Sequence, residues 1–303
     1  MITKNNLTKF FDKQIEEEQQ EKILLFDLHN LIFRTVFIAN FQDPTDTKFN
    51  YWKHLMTNSL LNNIRHFAPD RVICAIDNHS ERYWRKKLYP EYKAHRAELR
   101  KKSAINFDEF FKVANPFIDG LKTSFPNILF IDIPGCEADD IIAIVCNKLS
   151  PTARKVIIST DKDMIQLMQN KNVEQYDPVK RAYKNVLNPK LDLELKILTG
   201  GKGDNVPAVR KKVGIKTAEK ILKEGLSDFL KIPEYNKNYK RNKQLIDLTN
   251  IPENISNKIK TTIESYDVKP YNGMIAWQFL MKNKLNKLSN ELQQFSTHLK
   301  VLK

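Results

Sequence analysis

Glu137, Asp139 and Asp140 stand within four residues of one another, and Asp161 and Asp163 follow the apolar run Val156-Ile157-Ile158. Carboxylates held that close repel one another, and a solvated surface has no reason to gather them. A cation among them resolves the repulsion. Hard divalent ions such as magnesium take oxygen ligands, commonly one or two carboxylates completed by water and substrate phosphate. The pattern therefore offers metal-assisted attack on a phosphate.

The elements that must position these groups are legible around them. Residues 128–133 and 156–158 are short β-branched runs, and between them Ile141, Ile142, Val145, Cys146 and Leu149 recur at helical spacing. This predicts a strand, helix, strand unit, which in a parallel sheet brings both acidic clusters to the carboxyl edge. Residues 22–27 and 71–77 repeat the pattern, ending in Asp27 and Asp77. One such aspartate could cap a helix, but four acidic strand ends together point to a site. Helical patterns at 52–67 and 106–124, a short helix at 164–168 and a strand pair within 173–183 complete an α/β reading: a central, mainly parallel sheet flanked by helices.

With 303 residues, 41% hydrophobic, the chain can bury one large α/β core with an appendage, or two small domains. Lysine and arginine number 50 against 36 acids, a net charge of +14, which favours a polyanionic partner, nucleic acid before membrane. Cys74, Cys136 and Cys146 form no paired framework, and no apolar run reaches membrane-spanning length, so a soluble, cytoplasmic protein is expected. No His-Glu-x-x-His spacing supports a zinc hydrolase and no Gly-x-Ser-x-Gly elbow supports a serine hydrolase.

Residues 82–102 interleave basic side chains, among them Arg82, Arg85, Lys93 and Arg96, with Tyr83, Trp84, Tyr89 and Tyr92. Such a mixture suits single-stranded nucleic acid, cations on phosphates and rings on unpaired bases. Further on, the glycine-rich stretch 199–207 carries Asp204, and Gly214 leads into a helix whose first turn holds Lys216 and Thr217. Amides at such a helix start bind phosphate without reading bases. Near the amino end, Leu7 precedes Phe10 and Phe11 in a polar stretch. These resemble a sliding-clamp-binding peptide, with Lys4 where its glutamine would stand; the alternative is an amphipathic helix packed on its own domain.

In order along the chain, Asp27, Asp77, Pro90-Glu91-Tyr92-Lys93 with Arg96, Glu137-Ala138-Asp139-Asp140, Asp161-Lys162-Asp163 and Gly203-Asp204-Asn205 resemble the flap endonuclease family of structure-specific 5′ nucleases. Tyr83-Trp84-Arg85, Ile246-Asp247 and Ile251-Pro252 resemble its phage ribonuclease H branch in particular. The resemblance implies a PIN-like nuclease core at 22–199, a helical arch at about 78–115, and a duplex-binding region at 200–303 with a helix-three-turn-helix, preceded by a polar segment at 1–21. It implies a Mg2+-dependent 5′ to 3′ exonuclease and flap endonuclease acting on RNA–DNA and DNA duplexes, which removes primers in phage replication. Asp27, Asp77, Glu137 and Asp139 would hold one magnesium, Asp140 its water, and Asp161, Asp163 and Asp204 a second, with Mn2+ able to substitute. Lys93, helped by Arg85 and Arg96, would steady the scissile phosphate. Arg82, Trp84, Tyr92, Lys212, Gly214, Lys216 and Thr217 would contact nucleic acid, the last four in a hairpin that can hold a monovalent cation. A monomer working with a sliding clamp and a single-stranded-DNA-binding protein is implied. The family usually has aspartate where this chain has Gly201, and only Gly214 remains of its paired hairpin glycines, so weaker second-metal and duplex binding follow. The rival readings are a non-catalytic DNA-structure binder, or a PIN-like single-strand ribonuclease, which would need neither arch nor hairpin.

Overall fold

The computed structural model describes residues 20–303 apart from 44 and 47; Leu7, Phe10 and Phe11 fall outside the described residues. Six strands form one sheet: β1 (Lys22–Asp27), β2 (Arg71–Ile76), β3 (Leu129–Asp132), β4 (Arg154–Ile158), β5 (Val173–Asp177) and β6 (Ala182–Tyr183), in the order β3-β2-β1-β4-β5-β6. The first five are parallel, and β6 returns antiparallel to β5. Strands sandwiched between helices are apolar on both faces, which is why β1, β2 and β4 read as continuous hydrophobic runs. The chain winds outward from β1 through β2 to β3, then returns to β4 on the other side of β1. The resulting switch point between β1 and β4 is where open α/β sheets leave a crevice at their carboxyl edge.

The helices follow the same order: α1 (Leu28–Gln42), α2 (Asn50–Phe67), α3 (Trp84–Leu88), α4 (Arg96–Lys101), α5 (Phe107–Ser124) and α6 (Ala138–Lys148). Beyond the sheet come α7 (Pro189–Thr199), α8 (Ile215–Glu224), α9 (Leu226–Phe229), α10 (Pro233–Ile246), α11 (Glu253–Glu264), α12 (Gly273–Lys282) and α13 (Asn286–Leu299). One face of the sheet is covered by α1, α2, α5, α12 and α13, packed around Trp52, Phe110 and Phe295. The other is covered by α6 and α11. A smaller core joins α7, α8 and α10 and takes in Tyr92.

Two differences from the predicted elements matter. The helix at 164–168 is a 3₁₀ turn, Asp163–Gln169, so Asp163 sits on a tight turn. The aromatic residues of the basic stretch face inward: Tyr83, Trp84 and Tyr92 are buried, which corrects the expectation that Trp84 and Tyr92 stack on bases. The rings of this strap turn to the core, and of its cations Arg85 is buried with them while Arg82, Lys87 and Arg96 face solvent. Among the described residues no helix is long and apolar enough to cross a membrane.

Candidate active site

The carboxyl edge gathers the predicted acids. Asp27 ends β1 and also caps α1, accepting the Asn30 N–H at 2.9 Å; its other oxygen lies 3.5 Å from the Ser159 hydroxyl. Asp77 follows β2 and accepts the Ala138 N–H at 2.7 Å, tying that strand end to the first turn of α6, which carries Asp139. Asp161 follows β4, donates its N–H to Ser159 Oγ at 3.1 Å and accepts the Asp163 N–H at 2.9 Å. Burial, then the charges of Asp77 and Asp161, push the Asp27 carboxyl up to about 7. Burial raises Asp139 well above the carboxylate range, with Asp161, Asp27 and Glu137 adding to it against the pull of Lys93. Among the described residues none of Asp27, Asp77, Asp139 or Asp161 is ion-paired with lysine or arginine. The charges of these acids act on one another, and such an uncompensated set suits a hard divalent cation that Asp27, Asp77, Asp139 and Asp161 could share. Among the described residues, however, the group whose ligand atoms already lie within 4.8 Å of one another is His29, Asp77 and His79.

A second layer is cationic and closes off part of the predicted set. Arg85 is buried: its guanidinium lies 2.7 Å from Glu137 Oε2 and 2.8 Å from Asp140 Oδ1, and its Nε donates to the Leu245 carbonyl at 2.9 Å. Asp140, also buried, accepts from Trp84 Nε1 at 3.0 Å and from the Glu137 N–H at 3.1 Å. Arg85 therefore cannot reach a scissile phosphate and Asp140 cannot hold a water in the crevice. Both expectations are corrected: helix phase turns residue 140 into the core. Glu137 gives one oxygen to Arg85 and the other to Lys93, with the Tyr92 hydroxyl 3.3 Å away. Burial alone would raise its pKa, but Lys93 and Arg85 outweigh that and hold it at about 2. Glu137 therefore faces the crevice through Lys93.

Lys93 joins the two layers. Burial disfavours its charge, yet Glu137, with Asp204 and Asp139, holds the ammonium protonated well above the ordinary lysine range. Its backbone is left-handed, φ 55°, and its N–H donates to the Asp204 carbonyl at 2.8 Å, so a strained strap residue is pinned to the glycine-rich loop. Lys93 and Arg96 line a cleft of about 360 Å³ with Asp77, His79, Lys86 and Arg100. Arg96 is more exposed and lies 2.8 Å from Asp204 Oδ1.

The remaining two acids have partners of their own. Asp163 is ion-paired with Lys196 of α7, and Asp204 with Arg96, with Lys93 at 3.7 Å. Lys212, Gly214 and Lys216 are exposed and Thr217 is half-buried, with Gly214 immediately before α8. Arg82 is exposed beside the strap.

Residues 22–193 match the family described as 5′-3′ exonuclease, N-terminal resolvase-like domain, and residues 192–295 match the C-terminal model of T4 RNase H. The chain belongs to the 5′-3′ exonuclease family. Ribonuclease H of Enterobacteria phage T4 is 31% identical over 307 residues, spanning 94% of this chain and 99% of the relative. The 5′-3′ exonuclease of Bacillus subtilis is 29% identical, over 67% of this chain and 70% of its own. Among solved structures, T5 5′-exonuclease with bound zinc superposes with a TM-score of 0.64 at 21% identity, covering 81% of this chain and 99% of that one. A T5 flap endonuclease complex with DNA and metal ions gives a TM-score of 0.64 at 20% identity over 81% of this chain and 99% of its own. These likenesses establish the 5′ nuclease fold.

For this member of the 5′-3′ exonuclease family, three features of the site escaped the sequence reading. Lys196 sat unmarked within an ordinary amphipathic helix. Ser159 and Asn30 brace Asp27, Asp161 and Thr160, and small polar residues beside a strand end carry no distinctive signal. His29 accepts the Asp77 N–H at 3.1 Å and lies with Asp77 and His79 in a group whose ligand atoms are all within 4.8 Å of one another. Only adjacency to the acidic strand ends could have flagged it.

Proposed function

We propose that this nuclease hydrolyses phosphodiester bonds near the 5′ ends of flap and RNA–DNA duplexes in a Mg2+-dependent reaction, with Mn2+ able to substitute, and that it removes RNA primers during phage DNA replication. The observation that supports this most is the set of four uncompensated carboxylates at the switch point, beneath a cationic strap. A divalent ion held by Asp27, Asp77, Asp139 and Asp161 would supply Lewis acidity toward water and phosphate oxygen. The chain's own residues do the rest. Lys93, fixed by Glu137 and by its backbone bond to Asp204, presents a permanent positive charge at the cleft, where phosphate charge grows in the transition state. Arg96 and Arg82 hold the entering strand by its phosphates, and the Gly214 turn with Lys212, Lys216 and Thr217 grips duplex backbone without reading sequence. A monovalent cation at that turn, and a sliding clamp and a single-stranded-DNA-binding protein as partners, belong to the same reading, in which the protein acts as a monomer in the cytoplasm.

A 5′-labelled flap duplex and an RNA-primed duplex, each incubated with Mg2+ or with chelator alongside gel-shift binding, test the proposal. Release of short 5′ products only with the metal is expected. Binding without cleavage at any Mg2+ or Mn2+ concentration would leave a non-catalytic DNA-structure binder instead.

A further inference from the structure

Charge is distributed unevenly over the acids of this site. Asp27, Asp77, Asp139 and Asp161 lack lysine or arginine ion partners among the described residues, whereas Asp163 has Lys196 and Asp204 has Arg96 and Lys93. The partner of Asp163 is Lys196, in the third turn of α7, where that helix packs against the 3₁₀ turn Asp163–Gln169. Both side chains are only partly exposed, 28% and 22%.

Gly201 completes the arrangement. A side chain at 201 would start 3.6 Å from Lys196 Cε, so the lysine stem lies over the place such a side chain would enter. The backbone does not require glycine there: φ −130° and ψ 104° are open to any residue. Its neighbour Gly200 contrasts with it, at φ 72° with the Val206 carbonyl 2.3 Å from a built Cβ. Position 200 must be glycine for the chain to turn. At 201 the missing side chain leaves Asp163 to Lys196 alone.

We propose that Lys196 is a built-in second cation of this site: the protein takes one divalent ion, among Asp27, Asp77, Asp139 and Asp161, and holds a tethered ammonium on Asp163 where a second divalent ion would otherwise bind. This rests on the metal-dependent reading of the first four acids. An acid already neutralised at contact distance offers a second ion little Coulombic gain, and ligating it would leave a half-buried ammonium without a counter-charge. A fixed ammonium also costs no ion-binding entropy and does not depend on metal concentration.

The test counts ions on the full chain by following free Mn2+ with electron paramagnetic resonance, independently of cleavage. The wild type is expected to bind one Mn2+ tightly. Lys196→Gln, which keeps most of the stem and removes the charge, and Lys196→Gln combined with Gly201→Asp are expected to bind two, while Lys196→Arg stays at one. Asp161→Asn should remove the tight ion from the wild type and leave the newly gained site of the double variant less affected. Thermal melts check that each variant folds. Two tight ions in the wild type, with the number unchanged in both glutamine variants, would overturn the role of Lys196 while leaving the metal-dependent reading standing. No tight ion in the wild type would overturn both.

Discussion

Arg85 lies in a run of lysines and arginines that sequence alone assigns to the substrate, yet its guanidinium is buried between Glu137 and Asp140. Removing one partner of a buried, hydrogen-bonded ion pair strands the other charge, at a cost of roughly 3–5 kcal/mol. Arg85→Ala is therefore expected to destabilise the fold by about that amount in urea unfolding; a loss of cleavage with unchanged stability would contradict the structural role. Lys93 differs, because Glu137 keeps Arg85 when the lysine is gone. Lys93→Ala is expected to lower the single-turnover rate by about 10²–10³-fold, in the range of lost transition-state electrostatics, with a smaller effect on binding. Asp161→Asn should abolish cleavage and leave gel-shift affinity nearly intact; retained turnover would remove Asp161 from the site. At this scale the kinds of chemistry were legible in the residue types, but not which acid faces which way. Asp139 and Asp140 sit on consecutive positions in the first turn of a helix, about 100° apart around its axis, with Glu137 at its N-cap. Where that helix docks decides which becomes ligand and which becomes core.

The strands were readable as elements because burial on both faces leaves unbroken β-branched runs, and their acidic ends followed directly. The strap was harder. Basic and aromatic residues alternate there for two different reasons, packing and charge, and sequence does not separate a ring that stacks on a base from one that fills a core. Tyr83, Trp84 and Tyr92 do the second. The loop after α7 carries a prediction of its own. Gly200 adopts φ 72° under close contact with the Val206 and Pro207 backbone, so Gly200→Ala forces the turn to open. A loss of about 1–3 kcal/mol is expected from the strain, together with a marked loss of cleavage, since Asp204 and the anchor of Lys93 lie in the same loop. Gly201→Ala, in an unstrained conformation, is expected to be near neutral in stability, and chemical denaturation of the two variants side by side distinguishes these cases.

Over the whole molecule, a net charge of +14 surrounds a cluster of uncompensated acids, an arrangement that draws in polyanions and leaves the crevice short of positive charge. Affinity for duplex should fall steeply with salt, and removing Lys212 or Lys216 should lower the slope of log K against log salt by roughly one each. A divalent ion that binds only the folded state adds about 2.7 kcal/mol at a hundredfold excess over its Kd. Mg2+ should thus raise the melting temperature of the wild type and have much less effect on Asp161→Asn. The hydrogen bond from Arg85 to the carbonyl of Leu245 reaches across 160 residues, and it bears on the order of events during synthesis. All the candidate metal-binding acids have been translated by residue 204, yet the arginine that fixes Glu137 and Asp140 finds its last partner only after residue 245 has emerged. A growing chain would thus pass through a stretch in which it has every acid but not the fixed geometry. Because α11, α12 and α13 also cover the two faces of the sheet, chains released before residue 253 are expected to show no Mg2+-dependent cleavage, and cleavage by such chains would show that the delay does not exist.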